Sequence, residues 1–370
     1  MSALTIDLDD VDGLLAADRD GLLRAAAMAG AGVRSVSQAQ AEGVLARLSD
    51  FRPRAVVFVT GSDSVAHRAA DLVVATIAAR IDVPLVSAPA LPGWIGPLDV
   101  VVIAGGDAGD PALGDAAMRA LRRRAELVVA VPIEGPLLDA IGDQQIIDLS
   151  PRLVVDARFG FCRFVAALTA VCLALTEVRL APAPPDLADL ADRLDDEASA
   201  DHPSHESFHN QAKLLAMRTV DRSVVWAGDT PGAVTLASHA SATVFGVAGV
   251  VTHPSSESGL VARLRDGAPH AAPVDDLFYD PDFDPPRATG IRGILFTTSG
   301  RNWHAERRMS GYSDVAVIAE QVTDADTLGE PAIGLGEPLT DAPADLAAYL
   351  VLALRTELAA VFIRLMGEAA

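Results

Sequence analysis

The chain has 370 residues, with 29 Lys plus Arg against 50 Asp plus Glu and a formal charge of -21, and half of it is apolar. That apolar share excludes a disordered acidic chain, and the length predicts two domains. A pI near 4.6 argues against nucleic acid or an anionic membrane as partner, because the average field repels phosphate; only a local basic pocket is compatible with it.

The N-terminus, MSALTIDLDDVDGLLAADRDG, is acidic where a secretory signal needs a positive stretch and an apolar core. No uninterrupted apolar run reaches the roughly 18 residues of a spanning helix; Arg163 and Glu177 bracket the longest. The expectation is a soluble cytoplasmic protein with no membrane partner. RAVVFVTG (54–61) predicts a strand ending in glycine, followed by a helix over 64–80. Strands follow in VPLVSAP from Val83, LDVVVIAGG from Leu98, ELVVAVP from Glu126 and QIIDL from Gln145, with helices over 111–124 and near Leu137. Strands apolar on both faces and separated by crossover helices predict a parallel sheet covered on both sides. FGFCRFVAALTAVCLALTEV predicts a long helix whose two cysteines, Cys162 and Cys172, are buried thiols rather than a disulfide framework.

Residues 181–207 start with three prolines in five residues and are rich in Asp, which predicts a connector containing one short, solvated helix. The second half repeats the theme. SVVWAG (223–228) predicts a strand, with Asp229 or Thr230 capping a helix that has Pro231 in its first turn. GILFTTSG from Gly293, a short helix over 304–309, DVAVIAEQV (314–322) and a long helix over 342–366 complete it. Between Val251 and Arg292 the pattern fails, and PVDDLFYDPDFDPPRATG, which holds Asp275, Asp276, Asp280, Asp282 and Asp284, predicts an irregular loop.

Three strand-to-helix turns could carry a ligand: VTGSDSVAHRA with Thr60, Gly61, Ser62 and Ser64; IAGGDAGD with Gly105 and Gly106; and WAGDTPGA with Gly228 and Thr230. Helix N-termini beyond the carboxyl ends of parallel strands offer unpaired N–H groups to an anion. Each turn also holds a carboxylate (Asp63; Asp107 and Asp110; Asp229), which can cap the helix and repel a second anion. None is a dinucleotide or P-loop fingerprint, so no cofactor is expected, and a Rossmann-like dehydrogenase is the less favoured fold. HESFH (205–209) matches HExxH, but it follows an acidic connector and lacks a third ligand motif, so the expectation is a helix start and no metal. Lys213, just beyond, leads into an apolar helical run and is a candidate to approach a ligand from the second domain.

With these pieces in place, the order VVFVTGSDSVAHRAADLVVATIAARIDVPLV, DVVVIAGGDAGDPALGDAAMRALRRRAELVVAVP, NQAKLLA and SVVWAGDTPGAVTLASHASATVFG resembles the sugar isomerase (SIS) fold. Within it the chain is similar to the double-SIS proteins related to bifunctional phosphoglucose/phosphomannose isomerase, and closer still to the TobH-like group. The resemblance implies two SIS-like α/β domains, each a mainly parallel sheet with helices on both faces, over 1–182 and 205–370, joined by an acidic, proline-containing connector over 183–204. It implies a phosphorylated sugar as ligand and Glu257 as base, with His253 or His239 as the histidine that opens the ring. The family's hydroxyl-rich phosphate loop is replaced here by Ala104, Gly105, Gly106, Asp107, Ala108 and Gly109. The readings are therefore, in order, a phosphosugar-binding protein of this fold; an aldose–ketose isomerase acting on glucose 6-phosphate or mannose 6-phosphate; and a structural or protein-interaction module. The two long apolar helices are expected to pair inside the chain, with a homodimer as a further expectation.

Overall fold

The computed structural model describes residues 7–220, 222–266, 290–320 and 340–367; the Asp-rich loop predicted over 273–290 lies outside them except for Gly290. The first half is a five-stranded parallel sheet of β1 (Ala55–Val59), β2 (Leu85–Ala88), β3 (Asp99–Ala104), β4 (Glu126–Ala130) and β5 (Ile147–Asp148), in the order β2-β1-β3-β4-β5. The second is a four-stranded parallel sheet of β6 (Val224–Gly228), β7 (His253–Ser256), β8 (Arg292–Phe296) and β9 (Val315–Ile318), in the order β7-β6-β8-β9. The second order reproduces the first four places of the first, which is the expected two SIS-like α/β domains.

β7 was not expected. Its sequence, HPSS, has neither β-branched residues nor alternation, and Pro254 cannot donate to a ladder. It pairs on one side only, with β6, so an edge position accommodates the proline.

Helices cover both sheets: α1 (Val11–Ala17), α2 (Leu22–Ala27), α3 (Ala29–Ala41), α4 (Ser64–Ile77), α5 (Pro111–Arg122), α6 (Gly135–Ile141) and α7 (Phe161–Ala174) in the first half. Then come α8 (Leu187–Ala200), α9 (Gln211–Thr219), α10 (Pro231–Ala248), α11 (Glu257–Arg265), α12 (Ser299–Met309) and α13 (Asp345–Gly367). Alternate strand residues divide between two environments, as the two-residue period of a strand requires. Val56, Phe58, Val100 and Val102 face inward, while Val57, Val59, Val101 and Ile103 face the outer helices. Trp226, Phe296 and Tyr349 of the second half belong to the same inward cluster as Val56 and Phe58. The two sheets thus share one interior, with α4 packed on α10 and α13 reaching α2, α4, α7 and α8.

The connector is more than a solvated spacer. α8 buries Leu187, Leu190, Ala191 and Leu194 and packs on α3 and α13. Its charges are engaged as well: Arg34 reaches Asp192 at 2.6 Å and Asp195 at 2.7 Å. Among the described residues α13, rather than the run around Arg163, is the helix long and apolar enough to cross a membrane, but 94% of its most apolar stretch is buried inside the protein. It carries two buried ionisable side chains. Arg355 donates to Glu197 at 2.6 Å and to the Ala319 carbonyl at 3.2 Å, and Glu357 meets His239.

Beside the Arg355 pair, Asp201 closes α8. Its Oδ1 accepts from the Ala212 N–H at 3.0 Å, and its buried Oδ2 has no partner. Burial, with the Glu197 charge next to it, pushes the Asp201 carboxyl up to about 7. A raised folded pKa gives stability that is complete below the unfolded pKa of about 3.9 and is lost as pH rises towards 7. Asp201→Asn, which keeps the acceptor and cannot ionise, should match the parent near pH 4. It should exceed the parent by about 2 to 4 kcal/mol at pH 8, as read by urea unfolding at pH 4, 6 and 8. An equal difference at all three values would refute the assignment.

Candidate ligand clefts

The glycine turns end where the sequence places them, at the carboxyl edges of the sheets, but their N–H groups are already engaged. In the first half Asp63 caps α4, accepting from Val65 and Ala66 through Oδ1, and receives the Gly106 N–H on Oδ2 at 2.7 Å. Asp110 caps α5 through Ala112 and receives the Ser62 N–H and Oγ, both at 2.7 Å. Each loop therefore holds the other through a carboxylate. Burial alone would raise the Asp110 carboxyl, but the donors of Ser62 and Ala112 outweigh it and hold the group below its ordinary range. Gly61 stands at φ +56, and a Cβ there would lie 2.4 Å from Asp110 Oδ2, so the turn needs glycine. Thr60 is buried against His67. Ser64 opens α4.

The second half uses the same device. Thr230, not Asp229, caps α10. Asp341 fills the helix start, accepting from the Gly232 N–H at 2.7 Å, Thr230 Oγ1 at 2.7 Å and Tyr349 OH at 2.6 Å. Burial first, and Asp341 second, push the Tyr349 phenol far up. At α12, Glu320 accepts from Ser299 N–H and Oγ.

Asp229 turns instead towards β8 and α12. Its side chain is fully buried, accepts from Thr297 Oγ1 at 2.6 Å, and lies 3.4 Å from Arg301 and 3.9 Å from Arg308. Burial raises its carboxyl, with Thr297 and the two guanidinium groups acting against the rise. Arg308 meets Glu257 through both arms, at 2.6 and 2.7 Å, which raises the guanidinium. Glu257, Asp229, Arg308, Thr230, Ser256 and Ser258 line a cleft of about 670 Å³ beyond the carboxyl ends of β6 and β7. A second cleft, of about 430 Å³, lies in the first half beside Gly105, Gly106 and Arg163.

The remaining expected residues lie elsewhere. His253 is exposed at the start of β7, three residues and roughly 10 Å of strand from its carboxyl end, and lines a separate hollow with Thr252 and Arg263. His239 is buried where the two halves meet, with Nε2 3.0 Å from Glu357 and its ring stacked on Phe161 at 3.9 Å. Burial lowers its pKa well below the ordinary value and raises that of Glu357. Lys213 is buried and donates to the Pro203 and His205 carbonyls at 2.8 and 2.7 Å, tying down the turn that contains HESFH. That turn is not helical, and no group of three metal-ligating side chains occurs among the described residues. Cys162 and Cys172 are buried free thiols, both raised by burial, Cys172 to about 12. Arg163, Arg308 and Asp341 were not singled out from sequence; each is placed by a fold contact far along the chain.

No family model matches the sequence, and no curated protein does. Solved structures do match in fold over nearly the whole chain. The C-terminal domain of glucosamine-fructose-6-phosphate aminotransferase from Francisella tularensis is 11% identical, with 94% of this chain and 95% of that chain covered and a TM-score of 0.58. Tagatose-6-phosphate ketose/aldose isomerase from Escherichia coli is 14% identical, with 98% and 95% covered and a TM-score of 0.56. At these identities the likeness establishes a shared tandem SIS-like fold.

Two glycines of the second turn and its helix separate close packing from simple helix preference. A Cβ on Gly228 would lie 2.2 Å from the backbone of Ala233 and Val234, whereas one on Gly246 meets nothing within 4 Å. Gly228→Ala should destabilise by about 3 kcal/mol or more, and Gly246→Ala should stabilise by about 0.5 to 1 kcal/mol. Paired denaturant melts would show it, and equal effects would contradict the close approach of β6 to α10.

Proposed function

We propose that the chain binds a phosphorylated sugar in the cleft beyond β6 and β7. The observation that supports this reading is one cleft joining a partly exposed guanidinium, Arg308, to the carboxylate of Glu257 and the hydroxyls of Ser256 and Ser258. A guanidinium offers the paired N–H geometry a phosphate needs, while carboxylate and hydroxyl groups suit ring hydroxyls. Phosphate would compete with Glu257 for Arg308, so ligand binding would open that pair. Gly228 and Thr230 shape the floor of the cleft.

A second reading, aldose–ketose isomerisation, is favoured by the position of Glu257 at the first residue of α11, on the cleft wall. Once released from Arg308, its carboxylate could carry a proton between C2 and C1 of an open-chain sugar phosphate. In that reaction a proton leaves C2 and one is added at C1 while a proton passes from O2 to O1, so the atoms balance and no external reductant or oxidant is needed. One solved structure of this fold, the Escherichia coli tagatose-6-phosphate ketose/aldose isomerase, bears a name that agrees with such chemistry.

Calorimetry with glucose 6-phosphate and mannose 6-phosphate, together with coupled isomerase assays, tests both. Wild-type protein should bind a hexose 6-phosphate, and Arg308→Gln should weaken binding about 10- to 100-fold. Glu257→Gln should keep binding and abolish any turnover. Absence of binding, or binding indifferent to Arg308→Gln, would overturn the first reading. Binding without turnover by the wild type would remove only the second.

A further inference from the structure

The cleft of the first half carries an arginine that lacks a counter-ion. Arg163 is the third residue of α7, mostly buried, and braces the carboxyl ends of two strands. One arm donates to the Ala130 carbonyl, which closes β4, at 2.9 Å; the other donates to the Leu149 carbonyl, just past β5, at 3.3 Å. Its guanidinium lies over the Phe164 ring, 4.7 Å from the centroid. No carboxylate pairs with it among the described residues, although the chain has 21 more acidic than basic residues. Two of the three acids near it are engaged, and the third, Glu134, lines the cleft without an ion pair to Arg163. Asp156 is held by Arg158 through both oxygens at 2.9 and 2.7 Å. Asp63 is taken up by the N–H groups of Val65, Ala66 and Gly106. Burial accordingly pulls the Arg163 guanidinium down to about 10, with only the Asp63 charge opposing the fall.

The walls of this cleft are unlike those of a site for a bare sugar. Ile133, Leu153, Val154, Phe159 and Phe164 line most of it, with Arg163, Glu134, Asp156 and Ser150 as the polar groups, and Val154 is completely exposed at its rim. The backbone N–H of Gly106, which could have held a phosphate, already belongs to Asp63. A ring with a hydroxyl on every carbon would lose hydration against these walls and recover few hydrogen bonds. An anion with an apolar body fits on both counts: its carboxylate supplies the missing charge and can accept the guanidinium N–H groups not given to the Ala130 and Leu149 carbonyls, and its carbon skeleton covers the walls.

We infer that the cleft between the carboxyl ends of β3, β4 and β5 is a binding site for a small organic carboxylate with an apolar body, held by Arg163. This site is separate from the one beyond β6 and β7 and does not depend on the sugar-phosphate reading.

Isothermal calorimetry on the full chain, with octanoate and phenylacetate as probes and octanol, inorganic phosphate and glucose 6-phosphate as comparisons, tests it. One carboxylate should bind per chain, with octanol at least tenfold weaker than octanoate. Arg163→Gln should weaken carboxylate binding about 10- to 100-fold. Because Arg163 also braces two strand ends, Val154→Asp provides a variant whose exposed position leaves folding intact; its added charge at the rim should weaken binding severalfold. Glu257→Gln should leave carboxylate binding unchanged. The inference falls if no carboxylate binds or if octanol binds as well as octanoate. It falls equally if Val154→Asp has no effect, or if glucose 6-phosphate binds in a manner abolished by Arg163→Gln and untouched by Arg308→Gln.

Discussion

A helix that begins at the carboxyl edge of a parallel sheet presents unpaired N–H groups and a positive end, and the demand for negative charge there must be met. This chain meets it from within. Asp63, Asp110, Asp341 and Glu320 each deliver a carboxylate to such a helix start, and all four come from a different loop than the helix they serve or reach across to one. These contacts align the strand ends with one another and define what the edges can still bind. An anion arriving at either edge finds these amides taken, which shifts recognition towards side chains, and the two clefts differ because their arginines do. Arg308 is shared with Glu257 and neighbours Asp229; Arg163 has carbonyls only.

The same interior accounts for the buried ionisable groups that fill no cleft. Two sheets facing one layer of helices leave α13 surrounded, and its Arg355 and Glu357 are retained there in pairs with Glu197 and His239. Buried polar groups are tolerable when partnered and costly when not. His239 Nδ1, Glu357 Oε2 and Arg68 Nε all lack partners, so this polar island is a place where the shared core is held at some expense. It sits where α4, α7, α10 and α13 converge, which explains why a histidine on a helix following a glycine turn belongs to the core rather than to a cleft.

Sequence periodicity carries much of this fold. Strands β1, β3, β4, β6 and β8 are apolar on both faces, and β1, β3 and β6 run into a glycine; a β-strand buried between helices has no other pattern to show. β7 escapes because an edge strand made of HPSS is defined by the strand it borders, not by its own residues. The helix of the connector was legible as a helix, yet its buried face depended on α3, whose alanine- and glycine-rich surface has no conspicuous signature. Among candidate site residues, Glu257 and the glycine turns were visible as types in a family order. Arg308 lies 51 residues beyond Glu257, and Arg163 stands in an apolar run where it marked only the end of a hydrophobic stretch. Their roles come from which strand ends the topology brings together, and that information is distributed over both halves of the chain.

The placement of α13 bears on how the protein is made. During synthesis the first sheet, its helices and the second sheet all leave the ribosome before residues 345–367 follow, at a rate of about 5 to 20 residues per second. Until then the inner faces of α2, α4, α7 and α8 lack the helix that covers them. The first half therefore spends on the order of ten seconds or more with apolar surface uncovered, an interval in which chaperones have a substrate and the growing chain has a reason to collapse onto α10 in advance. Assembly of both halves is completed by one late segment, so a nonsense or frameshift lesion shortly before it would expose a surface spanning both sheets rather than trim a dispensable tail.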